Sequence, residues 1–240
     1  MYYYGHGVPE NYTEAVRWYR KAADQGEASA QYRLGAMYAS GDGVTKNKST
    51  AVFWYRIAAD NGDSSAQYNL GLHYDSDEAP PISNIDATNW YRKAADQGHV
   101  LAQFNLGRSY DNGYGVPENH NLAVSWYRKA ADQDDVKAQF NLALMYAAGR
   151  GVAKDEVEAA RWFRKAANQG DPEAQYNLAL RHELGKGVHR DSAQAVRWYR
   201  KAAIQGLAEA QHNLAYNYVI DGVLPKDYVK AYVWFTMAKI

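Results

Sequence analysis

The chain has no cysteine among its 240 residues. Disulfides, thiolate metal sites and cysteine redox chemistry are excluded, whatever the compartment. No apolar run approaches the roughly 18 residues of a membrane helix. The opening stretch MYYYGHGVPE lacks both the basic region and the apolar region of a secretory signal. There is no excess of either charge, with 27 Lys+Arg against 27 Asp+Glu. A nucleic-acid surface normally shows a basic excess, and acidic membranes attract polybasic segments. Neither nucleic acid nor membrane is therefore expected as a partner. Localisation is left open by these absences.

Tryptophan occurs seven times and never outside one repeated stretch. WYRKAADQG from Trp18 returns from Trp54, Trp90, Trp126, Trp162 and Trp198, and a last copy opens at Trp234 as WFTMAKI. Successive tryptophans are 36 residues apart, without insertion or deletion. A fixed period in this range marks a solenoid. Each repeat needs its neighbours to cover its apolar face, so residues 1–240 are expected to form one elongated unit of six complete repeats and two partial ones. In the same frame residues 2–8 (YYYGHGV) match 110–116 (YDNGYGV). Neither end reads as a polar capping segment, so the chain is expected to be a piece of a longer protein.

Within a repeat, the first helix (A) is predicted over about residues 28–40, with Ala30, Leu34 and Tyr38 on one face. The Leu34 position is leucine in all six complete copies. The next position is Gly35, Gly71, Gly107, Ala143, Ala179 and Ala215, and glycine there implies close approach of the second helix (B). Gly-x-Gly-Val turns follow, as at Gly41, Gly113, Gly149 and Gly185, the first glycine ending helix A in a left-handed conformation. They lack the spacing of a phosphate loop. Two turns depart from the pattern, DSDEAPP at 75–81 and DGVL at 221–224. Helix B opens on a capping residue in every copy: Asn11, Asn47, Ser83, Asn119, Asp155, Asp191 and Asp227. Its Arg20 and Lys21 positions read as solvated charges complementing the helix dipole. Stacked helix pairs of this kind make an all-α solenoid.

The pattern AxWYRKAAxQGxxxAQYNLGxxYxxGxGVxxD resembles the Sel-1-like repeat family, relatives of the tetratricopeptide repeats, over the whole chain. The resemblance implies a right-handed α-α superhelix of 36-residue helix-turn-helix repeats. It also implies an adaptor that assembles protein complexes, often bacterial. A cysteine-rich branch of the family resembles penicillin-binding proteins and weak β-lactamases. The lack of cysteine sets this chain apart from that branch, and β-lactam chemistry is kept only as the alternative reading.

The resemblance also implies that helix A lines a concave groove for a partner peptide or helix. One slot reads Arg33, Asn69, Asn105, Asn141, Asn177 and Asn213. Asparagine is a mediocre mid-helix residue, and its amide offers a donor and an acceptor to an extended backbone. The alternative is that each amide bonds to the neighbouring repeat. The slot before it holds Tyr32, Tyr68, Phe104, Phe140, Tyr176 and His212, aromatic surface that either anchors a partner or packs between repeats. Before that stands an unbroken glutamine row from Gln31 to Gln211, read as a structural hydrogen bond to a turn. Variable slots (Ala36, Leu72, Arg108, Leu144, Leu180, Tyr216; and Ser29 through Glu209) would set specificity, with acidic Glu173, Glu183 and Glu209 favouring a basic or mixed partner. Trp18 and its six counterparts are expected to fill the seam between repeats, away from the groove.

No catalytic residue, metal site or cofactor is indicated. The seven histidines include no pair three or four apart, and His182-Glu183 lacks the second histidine of a zinc-protease helix. No serine begins a Ser-x-x-Lys motif. A monomer is expected, with stacking of exposed repeat ends as the alternative.

Overall fold

In a computed structural model the protein is all-α. The structure describes residues 2–3, 9–76, 83–220 and 222–238. His6, Pro80, Pro81 and Asp221, singled out by histidine content or by the irregular turns, lie outside the described residues.

Two compact units are present, Met1–Asn119 and His120–Ile240. The first holds α1 (Tyr12–Ala23), α2 (Ala28–Ser40), α3 (Lys48–Asp60), α4 (Ser64–Tyr74), α5 (Asn84–Asp96) and α6 (Val100–Asn112). The second holds α7 (His120–Ala131), α8 (Val136–Ala148), α9 (Glu156–Asn168), α10 (Pro172–Leu184), α11 (Ser192–Ile204), α12 (Ala208–Val219) and α13 (Tyr228–Met237). Within each unit every helix packs on its chain neighbours. The even-numbered helices are the A helices and the odd-numbered ones the B helices. Each unit is thus a stack of helix pairs, as a solenoid requires.

Local chemistry sets the helix ends. Asn11, Asn47, Ser83, Asp155, Asp191 and Asp227 each accept a hydrogen bond from the backbone N–H three residues on, which satisfies one of the donors a helix start leaves open. Asp171 caps α10 in the same way, with Pro172 in the first turn. Gly41 ends α2 at φ 94° and Gly185 ends α10 at φ 67°, the left-handed conformation predicted for the first glycine of the turn. The second glycine has a separate role that sequence reading missed. A Cβ on Gly187 would lie 1.8 Å from the Glu156 carbonyl oxygen, and one on Gly115 would lie 2.0 Å from that of Asn84. Each of these turns is therefore seated on the first residues of the preceding B helix, at a spacing only glycine allows.

The core of each unit is made by the invariant leucines. Leu34, Leu70 and Leu106 in the first unit, and Leu142, Leu178 and Leu214 in the second, are fully buried. Each contributes about 1.5–3 kcal/mol of apolar burial. Alanine pairs such as Ala94–Ala95 and Ala166–Ala167 are buried with them, letting helices approach closely. At the Gly35 and Gly71 positions the object that approaches is an aromatic ring: a Cβ would lie 2.8 Å from Tyr55 and 2.4 Å from Tyr91.

The tryptophans are less uniform than the repeat suggests. Trp54, Trp90 and Trp162 are buried, and Trp126, Trp198 and Trp234 are half-buried, whereas Trp18 is 54% exposed. Trp54 and Trp90 lie beneath an arginine of the preceding B helix, Arg20 at 5.2 Å and Arg56 at 5.5 Å from the ring centres. No B helix precedes α1 among the described residues, and the seam-filling role predicted for Trp18 is not met.

Candidate functional site

The A helices carry two amide rows that do different things. The glutamine row faces the seam. Gln31 Nε2 donates to the Ala23 carbonyl at 3.1 Å, closing the end of α1, and Gln67, Gln103, Gln139, Gln175 and Gln211 repeat this bond to the carbonyl eight residues back. Such carbonyls have no partner within their own helix. The predicted bond to the preceding turn is thus made at the helix end that enters it. A second half was not foreseen. Gln31 Oε1 accepts from Asn61 at 2.9 Å and Gln67 Oε1 from Gln97 at 2.8 Å in the first unit. In the second, Gln139 and Gln175 accept from Gln169 and Gln205, both at 2.9 Å. This glutamine row hydrogen-bonds from repeat to repeat in both units.

The asparagine row stands on the opposite side of each A helix. Asn69, Asn141 and Asn177 donate to carbonyls on their own helices, those of Ser65 (3.0 Å), Lys137 (2.8 Å) and Glu173 (2.8 Å). This is local back-bonding to the residue four earlier. Asn105 is buried. Asn213 hydrogen-bonds the hydroxyls of Tyr176 and Tyr199.

The aromatic row is half-buried except at His212, which is exposed. In the first unit Tyr32 packs on Tyr55 and Tyr68 on Tyr91, with ring centres 5.8 and 6.0 Å apart. In the second, Phe140 meets Phe163 at 5.7 Å, Tyr176 meets Tyr199 at 5.8 Å and His212 meets Phe235 at 5.2 Å. Phe104 is half-buried as well. One face of each ring is held by the B helix, as offset or edge-on pairs prefer. Burial drives the Tyr55 hydroxyl up to about 12. Burial also pushes Tyr91 and Tyr199 up, reinforced by the carboxylates of Asp75 and Glu183 that they bond at 3.2 and 2.6 Å. These phenols therefore stay protonated, and Tyr91 and Tyr199 serve as hydrogen-bond donors.

The variable slots differ in what they leave open. Leu72 is 39% exposed and Tyr216 is 53% exposed, and Leu144 is half-buried. Arg108 is engaged within the first unit, donating to Asp75 at 2.6 Å. In the second unit a cleft of about 720 Å³ lies among α10, α12 and α13, lined by Tyr176, Glu209, His212, Asn213 and Phe235. It combines two aromatic rings, an amide, an imidazole and a carboxylate. Elsewhere in that unit Glu156 bonds Arg181 and Lys154; burial opposes its ionisation, but the two cations outweigh it and hold the carboxyl below its ordinary range.

Sequence reading also missed what the B-helix arginines do. They are not merely solvated. Arg20 donates to Tyr38 at 2.7 Å, Arg92 to Tyr110 at 3.0 Å and Arg200 to Tyr218 at 3.3 Å, and Arg56 and Arg128 bond Tyr74 and Tyr146 likewise. The signal was available as an Arg and a Tyr 18 residues apart, invariant except where His182 replaces the tyrosine. Lysines at the next position lie over their own tryptophans, as Lys129 does at 3.7 Å from Trp126.

The chain is similar to the crystal structure of c5321, a protective antigen of uropathogenic Escherichia coli with an SLR fold, at 38% identity and a TM-score of 0.92. That likeness covers 99% of this chain and 51% of the other, so the chain spans about half the length of the E. coli protein. A Sel1 repeat protein from Oxalobacter formigenes is 34% identical with a TM-score of 0.81, covering 95% of this chain and 92% of that one. No curated protein matches significantly. The Sel1 repeat model matches seven consecutive times, over 1–27, 28–63, 64–99, 100–135, 136–171, 172–207 and 208–239. With the helix pairs, the glycine turns and the glutamine row in register with those matches, the chain belongs to the Sel1 repeat family.

Proposed function

We propose that the protein is a non-enzymatic scaffold that holds a protein or peptide partner along the open side of its A helices. Sel1 repeat proteins generally serve as protein-interaction scaffolds and are typically without catalysis. The observation that carries the reading is the cleft among α10, α12 and α13, where Tyr176 and Phe235 offer apolar surface beside the polar groups of Glu209, His212 and Asn213. Aromatic anchors with a few polar groups are what peptide recognition uses. Exposed Tyr216 on α12 and Leu72 on α4 extend apolar surface on this side of each unit. The exposed carboxylates of Glu173 and Glu209 favour a basic or mixed segment in the second unit.

The test is selection of random peptides displayed on phage against the chain. Enriched peptides should bind about tenfold more weakly to a Tyr176→Ala/Tyr216→Asp double variant, and normally to Val157→Asp on the B-helix side. Absence of enrichment, or equal binding to both variants, defeats the proposal. A nitrocefin assay addresses catalysis directly, and saturable turnover by the purified chain would overturn the non-enzymatic assignment.

A further inference from the structure

One recess in the second unit is unlike its counterparts in the other repeats. Wherever the arginine of a B helix faces a tyrosine 18 residues on, the two hydrogen-bond. Arg164 on α9 has no such tyrosine, because His182 stands there on α10. The imidazole is shorter and carries no hydroxyl. A recess of about 550 Å³ lies at this point, lined by Arg164, His182, His189, Asp191, Gln194 and Trp198. None of the groove-side residues lines it.

His182 is only 8% exposed, and its Nδ1 is buried with no hydrogen-bond partner. A buried polar atom left in this state is destabilising, so the recess is built with an unmet requirement. Arg164 brings a fixed positive charge and a planar fork of donors suited to oxyanions. That charge argues against a cation, and no cluster of histidine and carboxylate groups among the described residues could hold a metal ion. We propose that Arg164 and His182 form a binding site for an oxyanion, a phosphate or carboxylate group, in the recess between α9, α10 and α11.

The titratable and charged groups facing His182 are Arg164 from α9 and His189 and Asp191 from the connection ahead of α11; the His189 backbone also hydrogen-bonds the ring, and Gln194 and Trp198 of α11 add no charge. Asp191 is occupied in capping Gln194 N–H at 3.0 Å. Burial, and then the charge of Arg164, hold the His182 imidazole below its ordinary value of 6.5. An anion beside it adds the opposite charge and favours the imidazolium. Binding is thereby linked to uptake of a proton. It tightens as pH falls, by at most about tenfold per pH unit for one proton.

The test is an NMR titration of the histidine ring signals of the full chain between pH 5.5 and 8, with inorganic phosphate and, separately, with acetate. The His182 signal should move on addition of anion, its midpoint should rise, and the apparent affinity should increase towards pH 5.5. A response to phosphate alone, to acetate alone or to both supports the site and identifies the oxyanion it prefers. His182→Tyr restores the residue found in the other repeats, gives Arg164 its partner and should abolish the anion-induced shift of the His189 signal, which lines the same recess. Arg164→Gln, at an exposed position, should weaken binding at least about tenfold while leaving the helical CD unchanged. No movement of His182 with either anion overturns the proposal, as does an unaltered His182 response in Arg164→Gln.

Discussion

Gln139 and Asn141 stand two residues apart on α8 and carry the same amide group, yet they do opposite work. Two residues turn a helix by about 200°, so the side chains leave from nearly opposite sides. Gln139 is fully buried; its Nε2 donates to the Ala131 carbonyl and its Oε1 accepts from Gln169. Asn141 is half-buried and folds back on the Lys137 carbonyl of its own helix. The glutamine joins three helices of the second unit and the asparagine joins none. What an amide does here is decided by the face it leaves from, and the invariance of a slot says little about which face that is.

The contrast between seam and open side is broken most severely by removing a seam tryptophan. Trp162 is almost fully buried, and its Nε1 donates to Glu158 at 3.2 Å. Trp162→Ala should destabilise by about 3–5 kcal/mol, measured from urea unfolding of the purified chain. Trp18→Ala, at the exposed end of the same series, should cost less than about 1 kcal/mol. Equal losses would mean that burial in this structure does not govern the tryptophan series.

Gln139→Ala comes next. It removes the side-chain donor from the Ala131 carbonyl, which keeps the Asp134 N–H at 3.1 Å, and an ordinary hydrogen bond is worth about 0.5–1.5 kcal/mol. Gln169 is partly protected, because its Nε2 also donates to the Asp134 carbonyl at 3.1 Å. The loss should therefore lie towards the lower end of that range, and replacing Gln175, whose partner Gln205 keeps a second bond to Gly170, should behave alike. A loss indistinguishable from zero in both would remove the glutamine row from the list of what holds the repeats together.

Much of this was legible in the sequence. The 36-residue period, the leucine at the centre of each A helix, the caps and the first glycine of each turn are local patterns, and local patterns dictate local structure. The second glycine was not legible in the same way. Its constraint comes from a helix start some thirty residues earlier, at Asn84 for Gly115 and Glu156 for Gly187. The Arg20–Tyr38 bond was missed for a similar reason. Arg20 sits in the last turn of its helix, where the dipole gives a sufficient local explanation, and that explanation concealed a partner 18 residues away. The candidate site was least legible. Aromatic and amide slots were identified, but whether a ring or an amide is already engaged depends on side-chain neighbours such as Tyr55 and Tyr199, which no spacing reveals.

Gly71→Ala sharpens the comparison at a smaller scale. The new Cβ would lie 2.4 Å from the Tyr91 ring, so the ring must shift, at about 1–3 kcal/mol for overpacking. Replacing a mid-helix glycine returns about 1 kcal/mol. The expected net is a loss of about 1 kcal/mol. In the second unit the same slot already holds the buried Ala143 and Ala179, and Ala179→Gly should lose about 1 kcal/mol through propensity and about 0.8 kcal/mol through its buried methyl. A stabilising Gly71→Ala would show that the ring moves freely and that the glycine is not required there.

The smallest effect is the most telling for function. Asn141→Ala removes one bond to its own helix and replaces a mediocre helix former by the best one. Stability should change by less than about 0.5 kcal/mol, with the urea midpoint almost unmoved. Since the amide contributes so little to the fold, any weakening of a selected peptide by Asn141→Ala must come from a contact with that peptide. The same substitution at Asn177, whose bond to Glu173 is identical at 2.8 Å, serves as an internal repeat of the measurement. If Asn141→Ala destabilised the chain as much as Gln139→Ala, both amide rows would be structural, and the asparagines would no longer mark the open side as the place where a partner is held.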